Sequence, residues 1–113
     1  MLKSISNNLW RTTNLRPKAT GLPMLVFVQP NTYKTDAVPF ILVQTVGGDL
    51  IVDDKIVPIE FSRNGNLGTA DKLEPHNYEF IKAFVGENLA DLLLLWDDEI
   101  SPTEFAERLK PIK

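Results

Sequence analysis

Few residues of this chain have a type and spacing suited to chemistry. Arg16-Pro17-Lys18-Ala19-Thr20-Gly21-Leu22-Pro23 places two cations, a hydroxyl and a glycine directly ahead of an apolar run. Backbone N–H groups near a glycine turn, together with Arg16 and Lys18, suit an anion. With Arg11 added, the same stretch becomes a basic arm of the kind that contacts phosphates. It also reads as a turn that aims the chain into a sheet, and the sequence leaves both readings open. The candidate site is therefore Arg11, Arg16, Lys18, Thr20 and Gly21, for an anion or a nucleic acid.

Other candidates are thinner. His76 is the only histidine, at the start of an expected helix, with no nucleophile or carboxylate at a telling spacing. It is the sole candidate base for a cryptic hydrolase. Asp97-Asp98-Glu99 is the densest acidic cluster, but it lacks the spaced oxygen ligands and glycine of a calcium loop. Asp49, Asp53, Asp54 and Glu60 lie on or beside expected strands, where nucleases hold Mg²⁺. No lysine follows Glu60 two residues on, and turn chemistry accounts for the three aspartates. No phosphate-binding glycine motif, nucleophile elbow or zinc signature occurs. No catalytic residue, metal ligand or cofactor is assigned.

Composition narrows the classes. The 113 residues fit one domain, 1–113, and 43% of them are apolar, enough for a core without staples. With no cysteine, disulfides, thiolate zinc sites and cysteine nucleophiles are excluded. No run approaches the roughly 20 apolar residues of a membrane span, and the first ten residues lack the apolar core of a signal peptide. A cytoplasmic protein without a membrane partner is expected. The net charge of −3 divides unevenly: residues 1–35 carry +5 and residues 36–113 carry −8. Such a split gives two faces of opposite sign, or a basic arm lying on an acidic body.

The elements that must position these residues are expected as follows. Residues 1–23 form an N-terminal arm, docked by Trp10 and Leu15. Residues 24–62 form the sheet: strands at 24–29, 38–46, 50–52 and 55–62, with turns at Gly47-Gly48 and Asp53-Asp54. Connections this short require antiparallel pairing, and Pro58 puts the last strand at an edge. Residues 75–110 hold the helices. Tyr78, Ile81, Val85, Leu89, Leu92 and Trp96 make one apolar stripe on a helix over 75–97. Gly86 inside it implies a bend or a close neighbour. Ser101-Pro102-Thr103-Glu104 has the spacing of a capping box, with Ile100 and Phe105 as its staple, so a short helix starts there. The fold class is α+β: an antiparallel meander of about four strands packed on a long helix and a short capped helix. Expected core residues are Leu25, Phe27, Ile41, Val43, Ile51, Ile59, Phe61, Ile81, Val85, Leu89, Leu92, Trp96, Phe105 and Leu109.

The Arg16-x-Lys-x-Thr-Gly-Leu-Pro segment before an apolar strand resembles the opening of a family of small uncharacterised bacterial proteins. The stretch from Asn88 through Trp96 to Ile100, and the helix ending Leu109-Lys-Pro-Ile112, is similar to that family's C-terminal part. The resemblance implies a compact bacterial domain and no assigned activity. Together with the absence of a catalytic constellation, it leads to the expectation of a non-enzymatic interaction or oligomerising protein, partnered by another protein or by a second copy. Nucleic-acid binding through the basic arm is the alternative.

Overall fold

A computed structural model describes residues 12–31, 38–69 and 71–112. Arg11, and most of the polar loop expected after Pro30, lie outside these residues. The elements are β1 (Thr13–Leu15), α1 (Pro17–Thr20), β2 (Met24–Val28), β3 (Phe40–Gly47), a 3-10 turn (Asp53–Lys55), β4 (Ile56–Glu60), α2 (Pro75–Trp96) and α3 (Pro102–Glu107). The four strands form one sheet in the order β1-β2-β3-β4, every neighbour antiparallel. This is the expected α+β meander, with a long helix and a short helix after it.

Two strands are not where the residue types suggest. Leu50-Ile51-Val52 is not a strand, and the fourth strand is instead β1, within the stretch expected as an arm. Thr13 pairs with Val28 and Leu15 with Val26, which sends the Leu15 side chain into the core. Leu50–Val52 runs between Gly48, at φ +99°, and the 3-10 turn. The Gln44 side chain, not a neighbouring strand, takes up the Leu50 carbonyl and the Val52 N–H, so no ladder forms there. Ile51, an expected core residue, is accordingly half exposed.

One face of the sheet is the main core. Met24, Val26, Val28, Ile41, Val43, Ile59 and Phe61 point to it and meet Ile81, Phe84, Val85, Leu92 and Leu95 of α2 and Phe105 of α3. Leu25, Phe27, Leu42 and Ile56 form a second buried cluster on the opposite face. Burial of β2 on both faces explains why Met24–Val28 is a continuous apolar run rather than an alternating one. β4 pairs only with β3, as Pro58 requires. Leu89 and Leu109 pack against the core from its periphery, partly buried.

The helices end as their sequences dictate. Pro75 occupies the first turn of α2. At the other end, Asp98 takes φ 63°, with its N–H donating to the Leu95 carbonyl at 3.0 Å and that of Glu99 to Leu94 at 2.8 Å. A left-handed residue closing the last carbonyls is a common helix stop. At α3 the capping box is complete: Ser101 Oγ accepts from the Glu104 N–H at 3.0 Å, and the Ser101 N–H donates to Glu104 Oε1 at 3.1 Å. Ile100 and Phe105 are both buried beside it. Gly86 does not have the close neighbour that its position allowed. A Cβ built there meets nothing within 4 Å.

Candidate functional site

Proline at the first helical position and glycine just past the end make Pro17–Thr20 a single helical turn. The Ala19 and Thr20 N–H groups both donate to the Arg16 carbonyl, at 2.9 and 3.1 Å. Gly21, at φ +80°, ends the turn by donating to the Pro17 carbonyl at 2.8 Å. Thr20 is fully buried, and its Oγ1 accepts from the Leu22 N–H at 3.0 Å.

Thr20 and Gly21 face the chain's own C-terminal tail. The Ile112 N–H donates to the Thr20 carbonyl at 2.7 Å. A Cβ on Gly21 would overlap the Ile112 carbonyl oxygen and lie 2.9 Å from its carbon. Two residues upstream the tail is gripped again. Asn88, buried on α2, accepts from the Lys110 N–H at 2.8 Å and donates to the Lys110 carbonyl at 3.0 Å, while its amide also reaches the Phe84 carbonyl at 3.1 Å. The segments around 16–23, 88 and 109–112 therefore touch one another.

Arg16 and Lys18 behave differently from Thr20 and Gly21. Both side chains are exposed, and neither forms an ion pair with a described residue. They line an open groove of about 360 Å³ whose apolar walls come from Leu15 and Ala19 on one side and Ala106 and Leu109 on the other. Of the five expected site residues, then, Arg16 and Lys18 line this groove, Thr20 and Gly21 lie against the tail, and Arg11 falls outside the described residues.

A second surface feature was not expected. After β3 the chain exposes Leu50, Ile51 and Val52 in succession, at 81%, 49% and 36% of their full accessibility, with Val46 exposed nearby. This stretch is tied down from beneath. Gln44 is fully buried. Its Oε1 accepts from the Val52 N–H at 2.8 Å, and its Nε2 donates to the Leu50 carbonyl at 3.0 Å and the Val46 carbonyl at 3.3 Å. One side chain thus supplies the bonds that a strand partner would have given. The sequence signal for it is Gln44 itself, the first polar residue after the apolar run Phe40–Val43 of β3.

The remaining candidates are dispersed. His76 Nε2 lies 3.5 Å from Glu74 Oε1, with both side chains about two-thirds exposed. Asp49, Asp53, Asp54 and Glu60 are exposed. Among the described residues no group of three or more His, Cys, Asp or Glu side chains is arranged to hold a metal ion. Asp97 receives a bidentate contact from Arg63, at 2.8 and 2.9 Å, and this hydrogen bond, then the charge of Asp97, raises the Arg63 pKa. No helix among the described residues is long and apolar enough to cross a membrane. Comparison with family models, curated proteins and solved structures gives no match.

Proposed function

We propose that the protein is a non-enzymatic interaction domain whose contact surface is the Leu50–Val52 stretch between β3 and β4. The observation that carries this is the Gln44 clamp under three exposed aliphatic residues. The bonds satisfy the buried Gln44 amide, and in doing so they fix the backbone positions that carry the exposed aliphatic side chains. Fixing them lowers the ordering entropy that a binding event must overcome, and contiguous exposed apolar surface marks contact sites. The outer edge of β4 is a poorer docking strip. Pro58 lacks a donor, and the chain folds back there, Phe61 bridging to Leu67 and the Gly68 N–H donating to the Glu60 carbonyl at 2.8 Å.

The test is Leu50→Glu, at the most exposed of these positions. The expected result is an unchanged circular dichroism spectrum and melting temperature, with loss of any complex that the parent protein forms in light scattering or co-purification. A complex that survives Leu50→Glu unaltered refutes the proposal.

Nucleic-acid binding is the second reading, favoured by the two exposed cations Arg16 and Lys18 on one turn of helix. It requires affinity that falls steeply with salt. The log–log slope should shrink by about 0.9 for each phosphate that Arg16→Ala or Lys18→Ala no longer neutralises. No binding to DNA or RNA at low salt sinks it.

A further inference from the structure

The exposed hairpin and the basic groove have complementary chemistry. The hairpin carries Leu50, Ile51 and Val52 flanked by Asp49, Asp53 and Asp54, with Lys55 the one cation, so residues 49–55 hold a net charge of −2. The groove has aliphatic walls, and Arg16 and Lys18 give it a charge of +2. The two features also sit at the same end of the sheet. Met24 pairs with Gly47, and the Gly48 N–H donates to the Pro23 carbonyl at 3.1 Å. The hairpin base therefore stands beside the start of β2, immediately after the segment that supplies Arg16 and Lys18.

We propose that these are two halves of one self-complementary contact: the protein forms a twofold dimer in which each copy's Leu50–Val52 stretch enters the Arg16/Lys18 groove of the other. The inference rests on the reading of the hairpin as the contact surface and names its partner as a second copy of this chain. A twofold interface uses the same patch on both copies, with residue i meeting j and j meeting i. An acidic apolar projection beside a basic apolar groove on one end of the molecule satisfies that condition. Opposite charge at the edge of the contact sets the register and speeds encounter, while the desolvated aliphatic side chains supply the affinity.

The symmetry allows a charge-swap test. Asp49→Lys with Asp54→Lys turns the hairpin basic; Arg16→Glu with Lys18→Glu turns the groove acidic. Each double variant then opposes like charges in its own dimer, whereas an equimolar mixture restores opposite charges at one contact of the mixed dimer and reverses both partners at the other. Sedimentation equilibrium is expected to show a dimer for the parent, a dissociation constant raised by on the order of tenfold or more for each variant alone, and recovery of dimer in the mixture. All four positions are exposed side chains, so melting temperatures serve as the check on folding. A parent protein that stays monomeric at concentrations of several hundred micromolar, roughly the weak end of specific association, overturns the inference, as do double variants that dimerise like the parent. If the parent is monomeric but Leu50→Glu abolishes a complex with a different protein, the dimer falls and the hairpin reading stands. If that complex is also indifferent to Leu50→Glu, both fall.

Discussion

Replacing Gly21 by alanine tests the tail clamp most directly, because two independent costs meet at one atom. The first is conformational. Gly21 is at φ +80°, a region that costs an L-residue about 1 kcal/mol or somewhat more. The second is steric. The added Cβ overlaps the Ile112 carbonyl oxygen, and the three nearest atoms all belong to the Ile112 backbone. No rotamer change relieves that overlap, so the tail must move. Moving it breaks the hydrogen bond from Ile112 to the Thr20 carbonyl, worth about 1 kcal/mol net. It also withdraws the partly buried Ile112 side chain from the core, worth about another 1 kcal/mol. The expected total is about 3 kcal/mol, a large share of the roughly 5–15 kcal/mol that stabilises a typical domain. The assay is equilibrium urea unfolding of the parent and of Gly21→Ala, each also prepared as a chain ending at Pro111. In the shortened background the clash is gone and only the φ cost remains. The cycle should therefore show a coupling of about 2 kcal/mol between Gly21 and the tail. Equal destabilisation in both backgrounds would mean the tail does not press on Gly21. A full-length destabilisation below about 1 kcal/mol would refute both costs.

Two further substitutions probe the long helix. Asn88→Asp keeps an acceptor for the Lys110 N–H but places a carboxylate against the Lys110 and Phe84 carbonyls, which only a donor can satisfy. The introduced carboxyl is neutral-preferring in the folded chain, so its folded pKa lies above its unfolded one. The stability deficit relative to the parent is thus smallest below the unfolded pKa, and it grows as pH rises through the unfolded pKa toward the folded one. Urea midpoints at about pH 4 and about pH 7, near and above the ordinary carboxyl range, check this, and a deficit that shrinks at the higher pH contradicts it. Gly86→Ala fills open space on an exposed helical position, so it should stabilise by about 0.5–1 kcal/mol. A fall in melting temperature would show that Gly86 serves a contact outside the monomer.

How far the fold could be read from the sequence depended on whether each element's cause was local. The capping box at Ser101 and Glu104 was legible in full, because both partners lie within one turn of helix. The long helix was legible to within a residue at its end, because a long apolar stripe carries its own periodicity. β1 was not. Thr13-Asn14-Leu15 is too short for alternation to show, and it is a strand only because β2 lies alongside. Leu50-Ile51-Val52 failed the opposite way: its residue types favour a strand, yet tight turns on both sides and the Gln44 side chain hold it as a loop. Asn88 was missed: it stands three residues after Val85 and four before Leu92, a spacing that places it on the apolar stripe, but its partner, Lys110, is 22 residues away.

The Arg16–Pro23 segment holds the residue types best suited to chemistry, and the structure divides it by direction. Thr20 and Gly21 face the C-terminal tail, the first through a buried threonine whose carbonyl accepts from Ile112 and the second as an exposed left-handed glycine against the Ile112 backbone. Arg16 and Lys18 point outward over a groove that the same tail helps to wall through Leu109. The turn reading therefore describes Thr20 and Gly21, while Arg16 and Lys18 are the outward cations that the proposed contacts would use. The division has a mechanical consequence. Because the tail forms one side of the groove, loosening it at Gly21 or Asn88 should damage whatever the groove binds as well as the fold. Reversing the charge of Arg16 and Lys18 should alter association while leaving the fold intact. Variants that lose stability and association together belong to the tail-facing set; variants that lose association alone belong to the outward set. If Arg16→Glu with Lys18→Glu lowered stability as much as Gly21→Ala, the two sets would not be separable and the assignment of roles by direction would be wrong.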